Sequence, residues 1–370
     1  MAVAHKLKEL DPTTEIIYVG ERGSRFSSMT KGQAVFDRQY KIFAGKFRRY
    51  HGESWFKRLL DVKTNLRNLR DLFYVFLGII ESWFLLRRLK PDVILLKGGF
   101  VGVPIGLAAR HKYPLVTHDS DAIPGMANRL VSRWATYHAT GMPPQYYKYP
   151  SEKMRYTGVI VSDNYQKVTG KLLQQYRHDL DLPADAQVLM ITGGSNGAQS
   201  INLALAGFAD DLLKDMSKLH IIHQVGVGNE TVYGHYTHKR LQVYGLMPYS
   251  DLYKYSGAAD VIVTRAGANT IAEYGIQAKA CIIIPNPLLT GGHQTKNAQY
   301  LKEEGAALIL DQDQLVTNHG QALKEAITDL LNDQKKRHEL GQKLHNLAVP
   351  EAALSLAQLL VTAAKRAGEK

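Results

Sequence analysis

The stretch richest in chemical possibility is residues 188–202, VLMITGGSNGAQSIN. Val188 to Thr192 are mostly apolar and read as a buried parallel strand that stops abruptly at Gly193-Gly194. Ser195 and Asn196 stand where a helix N-cap belongs, Gly197 keeps the backbone bare, and Ala198 to Leu205 has helical spacing. A strand, a glycine turn and a helix N-terminus together present unpaired N–H groups and the positive end of a helix dipole, which suits a phosphate. A doubly wound fold also needs tight turns of this kind for packing alone, so the choice falls to the rest of the chain.

Residues 260–301 repeat the pattern. Asp260–Thr264 reads as a strand, Arg265-Ala266-Gly267-Ala268 as a small-residue turn, and Asn269–Gln277 as a helix whose first amides again face an anion. Glu273 lies early enough in that helix to accept from two vicinal hydroxyls, as on a ribose. His293, Gln294 and Asn297 follow a Gly-Gly turn and offer neutral hydrogen-bonding groups suited to a sugar. Two phosphate-type turns, a carboxylate and an amide cluster in one domain describe a nucleotide-sugar pocket.

A further block lies at 97–136. Lys97-Gly98-Gly99 ends a strand and runs into a glycine-spaced helix; His118-Asp119-Ser120-Asp121 ends the next strand; Gly125 and Asn128 open the helix after it. Carboxylates at a strand end serve proton transfer or sugar hydroxyls, so Asp119 and Asp121 are candidate catalytic groups, with Asp121 and Asn128 as substrate contacts. Alternatively the two aspartates only cap the following helix.

The elements that must position these residues alternate. Strands are expected at Ile16–Gly20, Asp92–Lys97, Pro114–His118 and Tyr137–Thr140, then at Val188–Thr192, Leu219–Gln224, Leu241–Tyr244, Asp260–Thr264, Ala280–Pro285 and Ala307–Leu310. Two series of strands separated by helices imply an α/β chain of two doubly wound domains facing a cleft, with ligands at the carboxyl ends of the strands. Residues 1–160 form the first domain, with helix 351–370 crossing back onto it, and residues 161–350 the second. The net charge of +12, from 46 Lys and Arg against 34 Asp and Glu, favours anionic partners, but no nucleic-acid recognition motif accompanies it. A single cysteine, Cys281 in an apolar strand pattern, excludes an internal disulfide framework and reads as core. The histidines lack ligand spacing, so neither a metal nor a cofactor is expected.

Residues 66–89 depart from a plain dinucleotide-binding domain. Leu72 to Leu86 is apolar nearly all round but too short to span a bilayer, which takes roughly 20 apolar residues. Lys46, Arg48, Arg49, Lys57, Arg58, Lys63, Arg67 and Arg70 precede it, and Arg87, Arg88 and Lys90 follow. Basic residues around Phe73, Phe76, Trp83 and Phe84, with Trp55-Phe56 nearby, describe a peripheral seat on anionic lipid. The alternative is a helix buried between the sheet and its neighbour.

TGGSNGAQSIN, RAGANTIAE and HQTKNA resemble the donor domain of the MurG family, and GGFVGVPIGLAA, HDSDAIPGMANR and the Thr157-Gly158-Val159 segment resemble its acceptor domain, in the same order over nearly the whole chain. The resemblance implies a GT-B fold and an inverting hexosyltransferase that moves N-acetylglucosamine from UDP-N-acetylglucosamine to undecaprenyl-linked lipid I. The product is lipid II for peptidoglycan, and the site of action is the cytoplasmic face of the cell membrane. It implies that Ser195, with Asn196 and Gly197, binds diphosphate and that Tyr249 lies at the uracil edge. Ala268, Asn269, Thr270, Ile271, Ala272 and Glu273 would bind phosphate and ribose, with Gln294 and His293 holding the sugar. Asp121 stands where the family has an asparagine contacting the donor.

This chain departs from the family at three places. Ser162 replaces a donor-binding arginine, HDSD replaces HEQN, and the sequence begins at what would be the helix after the family's first strand and GGTGGH loop, whose histidine is a candidate base. The expectation is an upstream in-frame segment, without which the 370-residue chain is poorly stable and nearly inactive, leaving Asp119 or Asp121 as base. Two alternatives share the donor motifs: a transferase acting on another membrane lipid such as diacylglycerol, and a non-catalytic UDP-sugar-binding homologue.

Overall fold

The computed structural model describes residues 1–23, 34–46, 61–288, 290–316 and 320–368. The chain divides into two compact units, Met1–Ile160 with Glu351–Lys370, and Val161–Pro350.

In the first unit, helix α1 (Ala2–Leu10) leads to strands β1 (Ile17–Glu21) and β2 (Arg38–Ile42), which pair in parallel. Helix α2 (Val62–Leu89) follows, then β3 (Ile94–Leu96), helix α3 (Gly102–Ala109), β4 (Leu115–Asp119), helix α4 (Met126–Val131), β5 (Tyr137–Thr140) and β6 (Met154–Tyr156). Strands β3 to β6 form a parallel sheet in chain order. Among the described residues no ladder joins β1 to β3, although Val19, Ile42 and Leu96 from the two sheets share one apolar cluster. The sequence reading missed β2, whose RQYKI is mostly exposed and carries no apolar run, and β6, a three-residue edge strand.

Strands β4 and β5 are buried throughout because helices cover the sheet. The C-terminal helix, Ala352–Gly368, lays Leu356, Ala357, Leu360 and Ala363 on Val116, Tyr137 and Ala139, with Val3 of α1 in the same cluster. It is long and apolar, but its apolar face is core.

Helix α2 has two faces. Asp71, Val75, Ser82 and Leu86 are buried, and Gly78 is required because a Cβ there would overlap the Phe43 carbonyl oxygen. Glu81 fixes the crossing by accepting from the Phe43 N–H at 2.7 Å and from Arg22 at 2.6 Å.

The second unit opens with helix α5 (Gly170–Asp179) and contains β7 (Gln187–Thr192), helix α6 (Gln199–Asp215), β8 (Leu219–Gln224), β9 (Leu241–Tyr244), helix α7 (Leu252–Ala258), β10 (Val261–Thr264), helix α8 (Ala268–Ile276), β11 (Ala280–Ile283), helix α9 (His293–Glu303) and β12 (Leu308–Ile309). Helices α10 (Gln321–Asn332) and α11 (Gln334–Leu347) follow. The sheet order is β12-β11-β10-β7-β8-β9, all parallel. Val188 to Ile191 are buried on both faces, and α6 buries Ile201, Leu205, Phe208 and Leu212 at helical spacing against them. Cys281 is a core residue whose thiol is pushed up to about 12 by burial.

Candidate functional site

The strand order of the second unit reverses between β7 and β10, and a doubly wound sheet takes its ligand at that switch point. Parallel register sets Thr192 beside Thr264 and Gln224, and Thr264 beside Ile283. The loops after β7, β8, β10 and β11 therefore leave one edge together.

The first of these loops is a glycine turn. Gly194 and Gly197 have φ of +80° and +70°, and the Gly197 N–H donates to the Gly194 carbonyl at 3.0 Å. This turn corrects the expected helix start. Ser195 and Asn196 are its two exposed central residues and cap nothing, while the helix begins at Gln199 after Ala198, with no side-chain cap. Gln224 braces the loop, a role the sequence reading did not find. Its amide donates to the Gly194 carbonyl and the Thr192 hydroxyl, both at 3.2 Å, and its oxygen accepts from the Met247 N–H at 2.8 Å. One buried glutamine thus ties the glycine turn to the segment bearing Tyr249.

The loop after β10 carries Arg265, which donates to the Ile284 carbonyl at 3.1 Å and to the Ser200 hydroxyl at 2.9 Å. Both partners are neutral, and burial lowers its pKa, so the guanidinium brings positive charge to the β7–β10 edge. Helix α8 starts at Ala268 behind Gly267 with no side-chain cap, leaving its first-turn amides for a ligand. Asn269 is exposed and Thr270 and Ala272 are half-buried, whereas the Ile271 side chain is core and its N–H donates to the Gly267 carbonyl at 2.9 Å, so the expected ligand contact at Ile271 is not offered by this structure.

Glu273 is half-buried, and burial pushes its pKa up to about 7 against a smaller lowering effect of the Tyr165 hydroxyl. The exposed Tyr249 is near enough that the Glu273 charge raises its pKa, after the larger effect of burial.

Beyond β11, the Gln294 side-chain oxygen accepts from the Asn286 N–H at 2.9 Å, fixing its amide at the start of α9, with His293 beside it and also half-buried. Asn297 departs from expectation. It is fully buried and its amide donates to the Ala266 carbonyl at 3.0 Å, so it holds the loop after β10 rather than offering itself to a sugar.

In the first unit, Asp119 is enclosed. One oxygen accepts from the Gly125 N–H and the Asn128 amide, each at 2.9 Å, and the other from the Tyr149 hydroxyl at 2.8 Å. Burial raises its pKa while these bonds oppose the rise. Asn128 also donates to the His118 carbonyl at 3.0 Å and is buried. Asp119 and Asn128 therefore form the joint between β4 and α4, but Asp119 bonds the N–H of Gly125 ahead of the helix and no side chain caps α4 itself, so the capping alternative does not hold as expected either. Asp121 lies half-buried just beyond, its carbonyl accepting from the Tyr147 hydroxyl at 2.8 Å. Among the described residues no three His, Cys, Asp or Glu side chains gather as a metal site.

The outer face of α2 is exposed and apolar. Leu66, Leu69, Phe73, Phe76, Ile80 and Trp83 recur every three or four residues, with Leu72 and Phe84 alongside. Arg87 stacks its guanidinium 3.9 Å from the Trp83 ring centre. Trp55, Phe56, Arg48, Arg49, Lys57 and Arg58 lie outside the described residues, as does the Lys63 side chain.

Residues 1–140 match the glycosyltransferase family 28 N-terminal domain and residues 188–356 its C-terminal domain. The UDP-N-acetylglucosamine–N-acetylmuramyl-(pentapeptide) pyrophosphoryl-undecaprenol N-acetylglucosamine transferase of Halothermothrix orenii is 33% identical over 78% of this chain and 79% of its own. That of Symbiobacterium thermophilum is 30% identical over 100% of this chain and 93% of its own. This chain belongs to the MurG family of glycosyltransferases. The crystal structure of Acinetobacter baumannii MurG superimposes with a TM-score of 0.68 at 24% identity, covering 98% of this chain and 94% of that one. A Neisseria meningitidis UDP-GlcNAc 2-epimerase bound to UDP-GlcNAc shares the fold, with a TM-score of 0.62 at 14% identity over 94% of this chain and 100% of its own. The fold is thus of GT-B type with two Rossmann-like domains, and the activity is that of a hexosyltransferase.

Proposed function

We propose that this enzyme transfers N-acetylglucosamine from UDP-N-acetylglucosamine to the lipid I acceptor named in its relatives, with inversion at the anomeric carbon. The observation that carries the reading is the convergence of the glycine turn at 193–197, the uncapped start of α8 and Glu273 on the switch point of the second unit. Ionised, Glu273 accepts from both ribose hydroxyls, Tyr249 borders the uracil, and Gln294 with His293 holds the sugar. Amides of Ser195, Asn196 and Ala198 and of Ala268 to Thr270, with Arg265 behind them, take up the diphosphate charge.

In the transfer, an acceptor hydroxyl oxygen bonds to the anomeric carbon as the bond from that carbon to the diphosphate oxygen breaks. A general base takes the hydroxyl proton and UDP leaves. The developing sugar cation and diphosphate charge are stabilised by fixed dipoles that need no reorganisation. Of the two aspartates at the β4 end, Asp119 is committed to three hydrogen bonds that hold α4, which favours Asp121 as the base on this chain. The exposed apolar face of α2 with its arginines suits a peripheral seat on the anionic cytoplasmic membrane surface, where a lipid acceptor resides.

The test is UDP release and product mass with lipid I, with diacylglycerol, and with neither. Transfer to lipid I alone supports the proposal. Transfer to diacylglycerol alone replaces the acceptor, and donor binding without transfer to either makes the chain a binding protein.

A further inference from the structure

Three side chains outside the ligand loops form an unbroken run of hydrogen bonds that ends against the glycine turn. On α6, the Asn202 amide nitrogen donates to the Val225 carbonyl at 2.8 Å, which leaves its oxygen for His223 of β8, whose Nε2 lies 3.1 Å away. That oxygen only accepts, so the His223 proton sits on Nε2, and Nδ1 accepts from the Tyr233 hydroxyl at 2.8 Å. Asn202 and His223 are 1% and 0% exposed, and burial keeps the imidazole neutral by lowering its pKa to about 3. The half-buried Tyr233 ring meets the imidazole edge-on at 5.8 Å and lines a surface hollow with Tyr236, His238 and Lys239. Each donor in the run faces an acceptor, and the run has one direction, from Tyr233 through His223 and Asn202 to Val225.

What the run holds is the loop just past β8. A Cβ on Gly197 would overlap the Val225 carbonyl oxygen, and one on Gly226 would overlap the Gly197 nitrogen and the Asn196 carbonyl carbon, so Val225 and Gly226 lie directly against the turn. The Val225 N–H donates to the Tyr244 carbonyl at 2.9 Å, and the Asn229 amide adds a longer bond, 3.3 Å, to the Val225 carbonyl. Asn202 also belongs to the turn's other side, because its own N–H donates to the Ala198 carbonyl at 2.9 Å. One side chain therefore ties the first turn of α6 to the backbone that Gly197 packs on.

We infer that Asn202, His223 and Tyr233 are positioning residues for the donor: their hydrogen bonds set the Val225 carbonyl against Gly197 and so fix where the amides of Ser195, Asn196 and Ala198 meet the diphosphate. This inference rests on the diphosphate role proposed above for the glycine turn. It extends the binding machinery to three side chains that belong to none of the ligand loops. It also has a signature: loosening the run displaces amides from the diphosphate and leaves the nucleoside contacts on α8 intact.

The experiment compares the affinity of the full chain for UDP, by calorimetric titration, with that for uridine, by displacement. The ratio of the two reports the diphosphate contribution. The variants are His223→Leu, which removes both ring nitrogens; His223→Gln, whose amide keeps a donor for Asn202; and Tyr233→Phe. Leu330→Ala, a loss of core packing with no bond to the turn, is the control for lowered stability, and circular dichroism checks folding. His223→Leu is expected to lower the UDP-to-uridine ratio about tenfold, or about 1.4 kcal/mol, the size of one well-placed hydrogen bond to a charged group. Tyr233→Phe should lower it about threefold, His223→Gln should stay within about twofold of wild type, and Leu330→Ala should leave it unchanged. If His223→Leu does not fold, Tyr233→Phe carries the test alone. Equal losses for UDP and uridine, a ratio unchanged in the folded variants, or a loss in Leu330→Ala as large as theirs overturns the inference, as does a loss in His223→Gln equal to that in His223→Leu. Hydrogen exchange of wild type separates the underlying reading: UDP leaving 193–199 unprotected overturns the diphosphate role of the turn itself.

Discussion

Gly197 gives the sharpest perturbation of the glycine turn, because Gly194 supplies an internal control. Both have positive φ, +70° and +80°, so an alanine at either position carries left-handed strain of about 1–2 kcal/mol. Beyond that they differ. A Cβ on Gly194 would meet nothing within 4 Å, whereas one on Gly197 would overlap the Val225 carbonyl oxygen and lie 3.1 Å from the Gly226 Cα. Those neighbours are backbone and cannot rotate away, so the loops after β7 and β8 must separate. Forcing atoms into a packed site costs about 1–3 kcal/mol, and Gly197→Ala should lose about 2–5 kcal/mol in all. Against a typical stability of about 5–15 kcal/mol that loss is readily measured. Urea unfolding followed by a probe in the second unit should show Gly194→Ala shifted slightly and Gly197→Ala shifted well beyond it. The separated loops should also weaken UDP binding. Equal midpoints for the two variants would refute the back-to-back packing of these loops.

Three further outcomes are expected. Glu273 has its folded pKa raised from 4.5 to about 7, so the native state holds the extra proton across that window. Stability of the second unit should therefore fall as pH rises from about 4.5 to 7, by up to about 3 kcal/mol, and Glu273→Gln should flatten that slope in pH-dependent unfolding. Asp119→Asn removes the charge that three donors share and turns an NH2 group on the Tyr149 hydroxyl while its oxygen keeps Gly125 and Asn128, and should cost about 1–3 kcal/mol of stability in the first unit, measured by thermal unfolding, with UDP affinity unchanged. Trp83→Ala with Phe84→Ala should keep the fold, since both side chains are exposed, but reduce sedimentation with anionic vesicles about tenfold or more; equal binding to neutral vesicles would remove the basic contribution.

The second unit was largely legible in the sequence. Strands Leu219–Gln224 and Leu241–Tyr244 have the expected bounds, and Val188–Thr192 gains one residue at its start. Apolar runs between glycine turns are a strong signal for doubly covered strands. Strand β2 was illegible because RQYKI buries only one residue, so no periodicity marks it. The start of α6 was misread because Ser-Asn before a helix resembles a cap, while the flanking Gly194 and Gly197 close a separate turn that consumes both residues. Within the site, side-chain type revealed Glu273 and Gln294, but direction did not follow from type. Asn297 points into the core, and Asp119 is occupied by Gly125, Asn128 and Tyr149. Gln224 acts across the fold, over a sequence separation that local pattern does not reach.

The central claim is that the donor binds at the β7–β10 switch point of the second unit. Hydrogen–deuterium exchange of the full chain with and without UDP-N-acetylglucosamine tests it directly. Protection confined to peptides covering 193–199, 266–274 and 290–295 is the predicted result. Protection at the hollow lined by Tyr233, Tyr236, His238 and Lys239, with none at the glycine turn, would contradict it.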